Sequence, residues 1–453
     1  MGKIVTDNGK EIMVRNNQGT QLLEGARVSF VTNASGEVII TKTESKTKKV
    51  LVGTIEYDNN GTLLFYPQST GIIKPKTLVV LDDKKSELVK NAIGNRVTVE
   101  IPSFKGGEDV CHIRKVFGKI GNPLAEFNAL ADEAGVIMQR SEKAIKELEY
   151  IPTEVDVNSI NLTDENNNPL NPQTFDSKKP SYVDLREKMF ATIDPDDCQD
   201  MDDSVYTEID KDGNLVTYAA IADVTEYVHP GMALWEEAKQ QGFTLYVPGS
   251  AFDMLPHELA AGICSLNPNV DRLTMCVKSV IDSKTGKRLP EQTQIMHAVI
   301  NSKRKFSYNE VQAKLDELGE KGVNKIYNEM VNRAKAFDIR VEPTNLTEAI
   351  VLNKKVSDAV WVNFDSRNNL KLASDKETKF IWNDNKTDVI GVEEKPHISS
   401  MALIEALMIN ANECVAEYTI ANKLNSLYRV HGEPNGFKAN KLKTYLDYFK
   451  IPF

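Results

Sequence analysis

The sequence predicts a multidomain α+β protein, with OB-type β-barrels at the N-terminus followed by a mixed α/β body. Three observations carry that reading. The chain has 453 residues, more than one ordinary domain holds. Residues 1–120 are a succession of short β-branched runs separated by Gly, Asn, Asp and Pro. Beyond residue 120 the apolar spacing switches to that of helices and then alternates between helix and strand periods. A hydrophobic content of 41% with 26% charged residues suits a sizeable core and excludes wholesale disorder.

The elements follow in order. ARVSFVT, GEVIITKT, KVLVGTIEY, GTLLFYP, TLVVLDD and RVTVEIPSF read as strands. About five short strands in 60–70 residues make a small barrel, so Val50 to about Gly118 reads as one complete barrel. Residues 1–47 read as most of another, without a clear first strand. The Lys-rich KTESKTKKV lies between them. NPLAEFNALADEAGVIMQRSEKAIKELEYIP has helical spacing, and the Pro- and Asn-rich stretch 157–180 reads as a long loop. LVTYAAIADVTEYV begins as a buried strand, ALWEEAKQQG is a short helix, and LTMCVKSVIDS and IMHAVINSKRKFS are strands. SYNEVQAKLDELGE, VNKIYNEMVNRAKAFDIRVE and SSMALIEALMINANECVAEYTIANKL are amphipathic helices.

Charge and cysteine usage narrow the function classes. The net charge of −10 excludes a globally basic nucleic-acid binder. The charge is uneven: residues 1–120 carry 18 Lys and Arg against 13 Asp and Glu, a balance of +5 that leaves −15 for the rest. That split suits a polyanion-binding front on a metal-using body, although ordinary surface variation also produces it. No run of 18 apolar residues is present and MGKIVTDNGKEI lacks an apolar signal region, so neither a membrane span nor a secretory leader is expected. Five scattered cysteines form no CxxC pair and point to a reducing, cytoplasmic setting.

The most informative segment is TIDPDDCQDMDDSV. Asp194, Asp196, Asp197, Asp200, Asp202 and Asp203 fall within ten residues, and no Lys or Arg occurs from Asp194 to Asp210. Near a buried strand, each close pair of such charges costs on the order of several kcal/mol. Hard divalent cations with oxygen ligands are the natural counter-charge. A solvated acidic loop is the commonest fate of such a run, but Phe190, Ile193 and Val205 bracket this one with apolar residues. An EF-hand loop counted from Asp194 would need Gly and Glu where Gln199 and Val205 stand. An acidic helix cap explains one or two aspartates rather than six. If Asp200–Val205 runs into a strand, Asp200 and Asp202 share a face, while Asp203 starts the other unless a bend re-aims it. Asp194 precedes Pro195 and is therefore extended, so residues 195–199 can fold it back toward Asp200. Four carboxylates on two cations suit in-line phosphodiester hydrolysis. His229, His257 and His297 show no zinc spacing, Cys198 has acidic neighbours unsuited to a nucleophile, and Cys264 and Cys276 read as core residues in apolar strands.

With these residues in place, the chain resembles the RNase II/RNase R exoribonucleases. TIDPDDCQDMDDSV resembles the signature of their RNB catalytic domain. YVDLREKMFATID precedes it, and the blocks holding AAIADV, MLP and CSLNP follow in the family's order, as do EALMINANECVAEY and LYRVHGEPN. The resemblance divides the chain into residues 1–47, part of a first OB or cold-shock domain; 48–118, a second; 119–180, a helical and loop connector; and 181–453, the RNB domain without its C-terminal part. It implies Mg²⁺-dependent, processive 3′-to-5′ hydrolysis of single-stranded RNA to 5′ nucleoside monophosphates in the cytoplasm, with two ions expected and Mn²⁺ as a substitute. Asp194, Asp200, Asp202 and Asp203 match the catalytic, metal-holding aspartates, while Asp196 and Asp197 fall at variable positions. Tyr246 matches the tyrosine that stacks on the 3′-terminal base, Glu405 a glutamate near the RNA end, and Arg429 and His431 candidate phosphate contacts. The family's Ser-Pro-Ile-Arg-Arg-Tyr stretch and C-terminal OB-type domain have no counterpart here. The alternative expectation is therefore a truncated, catalytically weak RNA-binding protein, or one half of a split enzyme completed by a second polypeptide.

Overall fold

The computed structural model describes residues 2–6, 11–14, 27–33, 38–45, 50–68, 77–101, 110–247, 250–367, 377–385, 388–395, 397–430 and 436–451. The chain divides into two compact units, each assembled from three stretches of sequence.

The first unit comprises Met1–Thr153, Val224–Ile263 and Leu372–Pro396. Its described start holds two separate antiparallel hairpins, β1 (Gly2–Val5) with β2 (Glu11–Val14) and β3 (Arg27–Thr32) with β4 (Val38–Ser45). A closed five-stranded barrel follows. It is made of β5 (Val50–Tyr57), β6 (Leu63–Pro67), β7 (Leu78–Val80), β8 (Asn95–Glu100) and β9 (Val110–Lys119), in the order β5-β6-β7-β9-β8. The sequence reading passes over β9 because only Cys111 and Ile113 are buried at its start, between the exposed His112 and Arg114. Ile55, Phe65, Leu78, Val97 and Val99 fill the barrel, and the short helix α1 (Glu87–Ala92) adds Val89 and Ala92. Gly53 is required by close approach, since a Cβ there would stand 2.2 Å from the Tyr66 carbonyl oxygen.

Helix α2 (Pro123–Glu133) packs on the barrel through buried charge. Arg96 meets Glu126 at 2.8 Å, while Asp132 takes Arg114 at 3.0 Å, Lys115 at 3.1 Å and the Thr98 hydroxyl at 2.8 Å. Helix α3 (Glu142–Leu148) supplies Glu147, whose carboxylate accepts the Ala233 and Leu234 amides and so caps α4 (Ala233–Gln241), where the N-cap residue Met232 makes no side-chain capping bond. Arg140 donates to the Asp253 and Met254 carbonyls. These ties anchor the hairpin of β15 (Leu245–Val247) and β16 (Ser250–Phe252), which carries Tyr246. A further hairpin pairs β20 (Glu377–Trp382) with β21 (Val389–Lys395).

The second unit comprises Glu154–Asp223, Cys264–Lys371 and His397–Phe453. Its frame is an eight-stranded mixed sheet of β10 (Asn161–Thr163), β11 (Ser181–Asp184), β12 (Ala191–Asp194), β13 (Asp203–Ile209), β14 (Leu215–Ala222), β17 (Asp271–Ile281), β18 (Gln294–Asn301) and β19 (Arg304–Ser307). The order is β10-β11-β18-β17-β14-β13-β12-β19. Helices α5 (Tyr308–Phe337), α6 (Leu346–Ser366) and α7 (Ser399–Ala421) cover one face with Leu315, Met330, Val351, Val356, Leu403 and Leu407. Gly319 (φ 59°) interrupts α5, so its two halves match the two helices read from the sequence. Helix α6 escapes that reading because burial of Ala349 through Asn353 leaves it no clear polar stripe. The last helix, α8 (Gly436–Tyr448), exposes Leu442, Tyr445 and Tyr448.

One departure from the sequence reading shapes the site. IMHAVINSKRKFS is two strands rather than one. β18 pairs antiparallel with β17, while β19 crosses to pair in parallel with β12. The break is held where the Lys303 amide donates to the Phe190 carbonyl at 2.7 Å and its ammonium to the Arg186 carbonyl at 2.6 Å.

Replacing Gly53 with alanine is expected to destabilise the barrel by about 1–3 kcal/mol or more, because the clash is with backbone. Urea unfolding followed by circular dichroism measures it, and an unchanged midpoint would show that β5 and β6 can separate without loss.

Candidate active site

Three strands and one helix build the carboxylate centre. Strand β12 is buried along its length and ends on Asp194, which is 9% exposed. Strand β13 begins at Asp203. Their antiparallel register, with Ala191 opposite Val205, brings Asp194 and Asp203 to the same end of the two strands. On the other side, β12 and β19 set Asp194 opposite Ser307. Ser307 is the N-cap of α5, in a reciprocal capping box with Glu310, so the positive end of a helix stands beside Asp194.

The connection between β12 and β13 carries the other acids. The sequence reading extends the strand back to Asp200, whereas β13 starts three residues later. Met201 is buried instead against another segment: its amide donates to Ser265 Oγ at 3.1 Å and its carbonyl accepts from the Leu266 amide at 2.9 Å. Asp200 and Asp202 flank that buried side chain, which keeps the alternation without a strand ladder. The Asp202 carbonyl accepts the Ala222 amide at 2.9 Å, the last bond on this side of the β13–β14 pairing. Asp196 and Asp197 are exposed, with Asp196 Oδ2 taking Asn309 Nδ2 at 3.0 Å.

The electrostatics are those of an under-compensated acidic site. Burial pushes the Asp194 carboxyl up to about 6, with the Thr192 side chain and Lys305 opposing the rise and Asp202 and Asp200 adding to it. Burial again, then Asp194 and Asp202, push Asp203 up to about 7. Asp202, exposed overall, is also raised, by desolvation first and Asp200 second. Asp194 Oδ2 is buried without a hydrogen-bond partner. The Cys198 thiol lies 3.5 Å from Asp200 Oδ1 and is pushed up to about 12 by burial, Asp194 and Asp200, which removes it as a nucleophile. The Tyr308 hydroxyl is likewise raised to about 12 by burial, Asp194 and Asp203.

These residues fit a hard divalent cation by donor chemistry: carboxylate oxygens, an orphaned Asp194 oxygen, and carboxyls held above their ordinary range despite Lys305. Among the described residues, no group of three or more His, Cys, Asp or Glu side chains stands close enough together to hold a metal ion.

The structure brings Asp194, Asp200, Asp202 and Asp203 to one rim and distributes the other sequence-derived residues. Tyr246 belongs to the first unit and is 70% exposed on β15. Glu405 lies on α7, 3.7 Å from His397 Nε2. That helix is tied near its start to the rim, where Ser400 Oγ donates to the Tyr308 carbonyl at 2.8 Å. Arg429 is exposed, and His431 lies outside the described residues. Cys264 is buried as expected but follows the helical turn Leu259–Ile263 rather than lying in a strand. Sequence reasoning missed Lys305, whose ammonium donates to the Cys198 carbonyl, and the Asp223–His297 pair at 2.9 Å. Ser265 stands within CSLNP, and spacing alone assigns that serine no role.

The fold and rim define an α/β protein with a carboxylate centre at strand ends, accompanied by a β-barrel. Residues 182–452 match the family model described as the RNB domain, and the chain belongs to the RNB family. It is 28% identical over 458 residues to "Ribonuclease R" of Aquifex aeolicus (strain VF5), covering 98% of this chain and 57% of that protein. The structure of Mycoplasma genitalium RNase R in complex with ribose methylated single-stranded RNA superposes with a TM-score of 0.78 at 22% identity, covering 100% of this chain and 65% of that one. Yeast Ssd1, described as a pseudonuclease, shares the fold at a TM-score of 0.60 and 12% identity, covering 96% of this chain and 49% of that one. Among the described residues no helix is long and apolar enough to cross a membrane.

The raised carboxyls set a pH dependence. Asp194 and Asp203 hold protons in the folded state up to about 6 and 7 but release them near the ordinary 3.8 when unfolded. Between those values the native state binds more protons, so the stability of the metal-free protein falls as pH rises through that window. Thermal melts in chelator are expected to show Asp203→Asn gaining stability over the parent chain at pH 8 and not at pH 4, with Mg²⁺ stabilising the parent more at pH 8. An Asp203→Asn difference independent of pH would contradict this.

Proposed function

We propose that this chain is the catalytic part of a hydrolytic exoribonuclease that degrades single-stranded RNA processively from the 3′ end to 5′ nucleoside monophosphates in the cytoplasm. The observation that carries the reading is the under-compensated rim of Asp194, Asp200, Asp202 and Asp203 within a chain of the RNB family. The relatives it matches are called Ribonuclease R, and this chain spans just over half of the Aquifex protein.

The four aspartates would hold two Mg²⁺ ions, with Mn²⁺ as a substitute. Bound ions supply Lewis-acid polarisation of the phosphoryl group and a lowered pKa for the attacking water. The carboxylates at the rim would hold those ions and accept hydrogen bonds from the water, and the apolar strands beneath keep the acids partly desolvated. Tyr246 stacks on the 3′-terminal base, whose π-face makes the contact tolerant of sequence. Glu405 lies near the RNA end, and Arg429 and His431 contact phosphate oxygens.

The test uses oligo(A) labelled at either end, with Mg²⁺, comparing the chain with Asp202→Asn. The expected result is shortening from the 3′ end that stops in chelator, falls by about 10²-fold or more in the variant, and is absent on a DNA oligonucleotide. RNA binding by both proteins with no shortening by either would make this chain a binding module instead. Tyr246→Ala is expected to weaken binding of single-stranded RNA by about 1–3 kcal/mol, read by fluorescence anisotropy in chelator. Unchanged affinity would remove Tyr246 from the RNA path.

A further inference from the structure

The connection from Pro195 to Asp202 contains no strand or helix and carries Asp196, Asp197, Asp200 and Asp202. A loop with that charge, left to itself, relaxes outward into water. It is held from two sides by residues far away in sequence. On one side, Lys305 on β19 donates from its ammonium to the Cys198 carbonyl and, at 3.5 Å, to the Asp196 carbonyl. On the other, Ser265 Oγ donates to the Gln199 carbonyl at 2.8 Å and accepts the Met201 amide at 3.1 Å. Ser265 is fully buried and is itself fixed, because the buried Arg272 donates from Nε to its carbonyl at 2.8 Å and from a terminal nitrogen to the Asp271 carbonyl at 2.9 Å. The adjacent Leu266 amide adds the bond to the Met201 carbonyl.

We propose that Lys305 and Ser265 are positioning residues that clamp the 195–202 connection from opposite sides and so hold Asp200 and Asp202 in place beside Asp194 and Asp203. Each grips main chain, so what the clamp fixes is the path of the loop. A hydroxyl offers one donor and two acceptor sites, and Ser265 uses the donor and one acceptor on two residues of the loop. A metal site tolerates only about 0.5 Å of misplacement in its ligands. The consequence for metal affinity rests on the proposed nuclease reading; the consequence for loop order does not.

The test therefore has two readouts on the whole chain. Amide hydrogen exchange across residues 196–202 is followed in chelator, and Mn²⁺ binding is followed by electron paramagnetic resonance. Ser265→Ala and Lys305→Met are each expected to speed exchange there by about tenfold, the scale of one lost buried hydrogen bond, and to weaken Mn²⁺ binding about as much. Exchange in the barrel should not change, and Lys305→Arg should stay near the parent chain. A lysine acting only by its charge would, once removed, tighten Mn²⁺ binding and leave exchange alone, and that result overturns the clamp. Unchanged exchange in Ser265→Ala overturns it as well. If the parent chain binds no Mn²⁺, the nuclease reading fails while exchange still decides the clamp.

Discussion

Four carboxylates, two at the ends of buried strands and two on the loop that joins them, repel one another, and the second unit is arranged around that repulsion. The rim cannot relax by letting the strands part, because β12 and β13 lie inside a sheet covered by α5, α6 and α7. It is offset in part by the N-terminus of α5 beside Asp194 and by Lys305 across the β12–β19 pair. What remains is visible as carboxyls lifted toward neutrality and one buried Asp194 oxygen without a partner. A site left in that state is completed by a cation or carries protons.

The same sheet provides its own control. Glu208 is fully buried on β13, only five residues from Asp203, yet it sits in a balanced network. It takes Lys188 at 2.9 Å, Arg340 at 3.2 Å and the Tyr206 and Tyr218 hydroxyls at 2.8 and 3.2 Å. Nearby Glu165 pairs with Lys278, Lys188 and Arg340. Burial alone would raise Glu165, but those cations outweigh it and lower its pKa. Acids that serve the frame have been given partners; the four at the rim have been given one another. That contrast, more than the count of aspartates, supports the proposal that the rim is a site and not part of the frame.

Much of the rim was legible in the sequence because its signal is local. Six aspartates in ten residues, bracketed by Phe190, Ile193 and Val205, speak for themselves. The barrel strands and the two halves of α5 followed from period and punctuation. What stayed hidden depends on contacts between distant segments. The crossing of β19, which sets Lys305 and Ser307 beside Asp194, cannot be read from a run that looks like one strand. Ser265 carries no charge and no periodicity, so only its two bonds to residues 199 and 201 reveal what it holds. Strand β9 and helix α6 were hidden by the converse problem, a polar-rich strand and a helix buried on most sides. Membership of the RNB family supports the exoribonuclease reading in general terms, and the fold shared with a pseudonuclease shows why chemistry must be argued from side chains.

The most direct measurement is anomalous diffraction from crystals of this chain soaked in Mn²⁺. The account expects two peaks at the rim, within bonding distance of oxygens from Asp194, Asp200, Asp202 and Asp203, with residues 195–202 keeping their path. Peaks elsewhere, or an empty rim with these side chains turned into solvent, would contradict it.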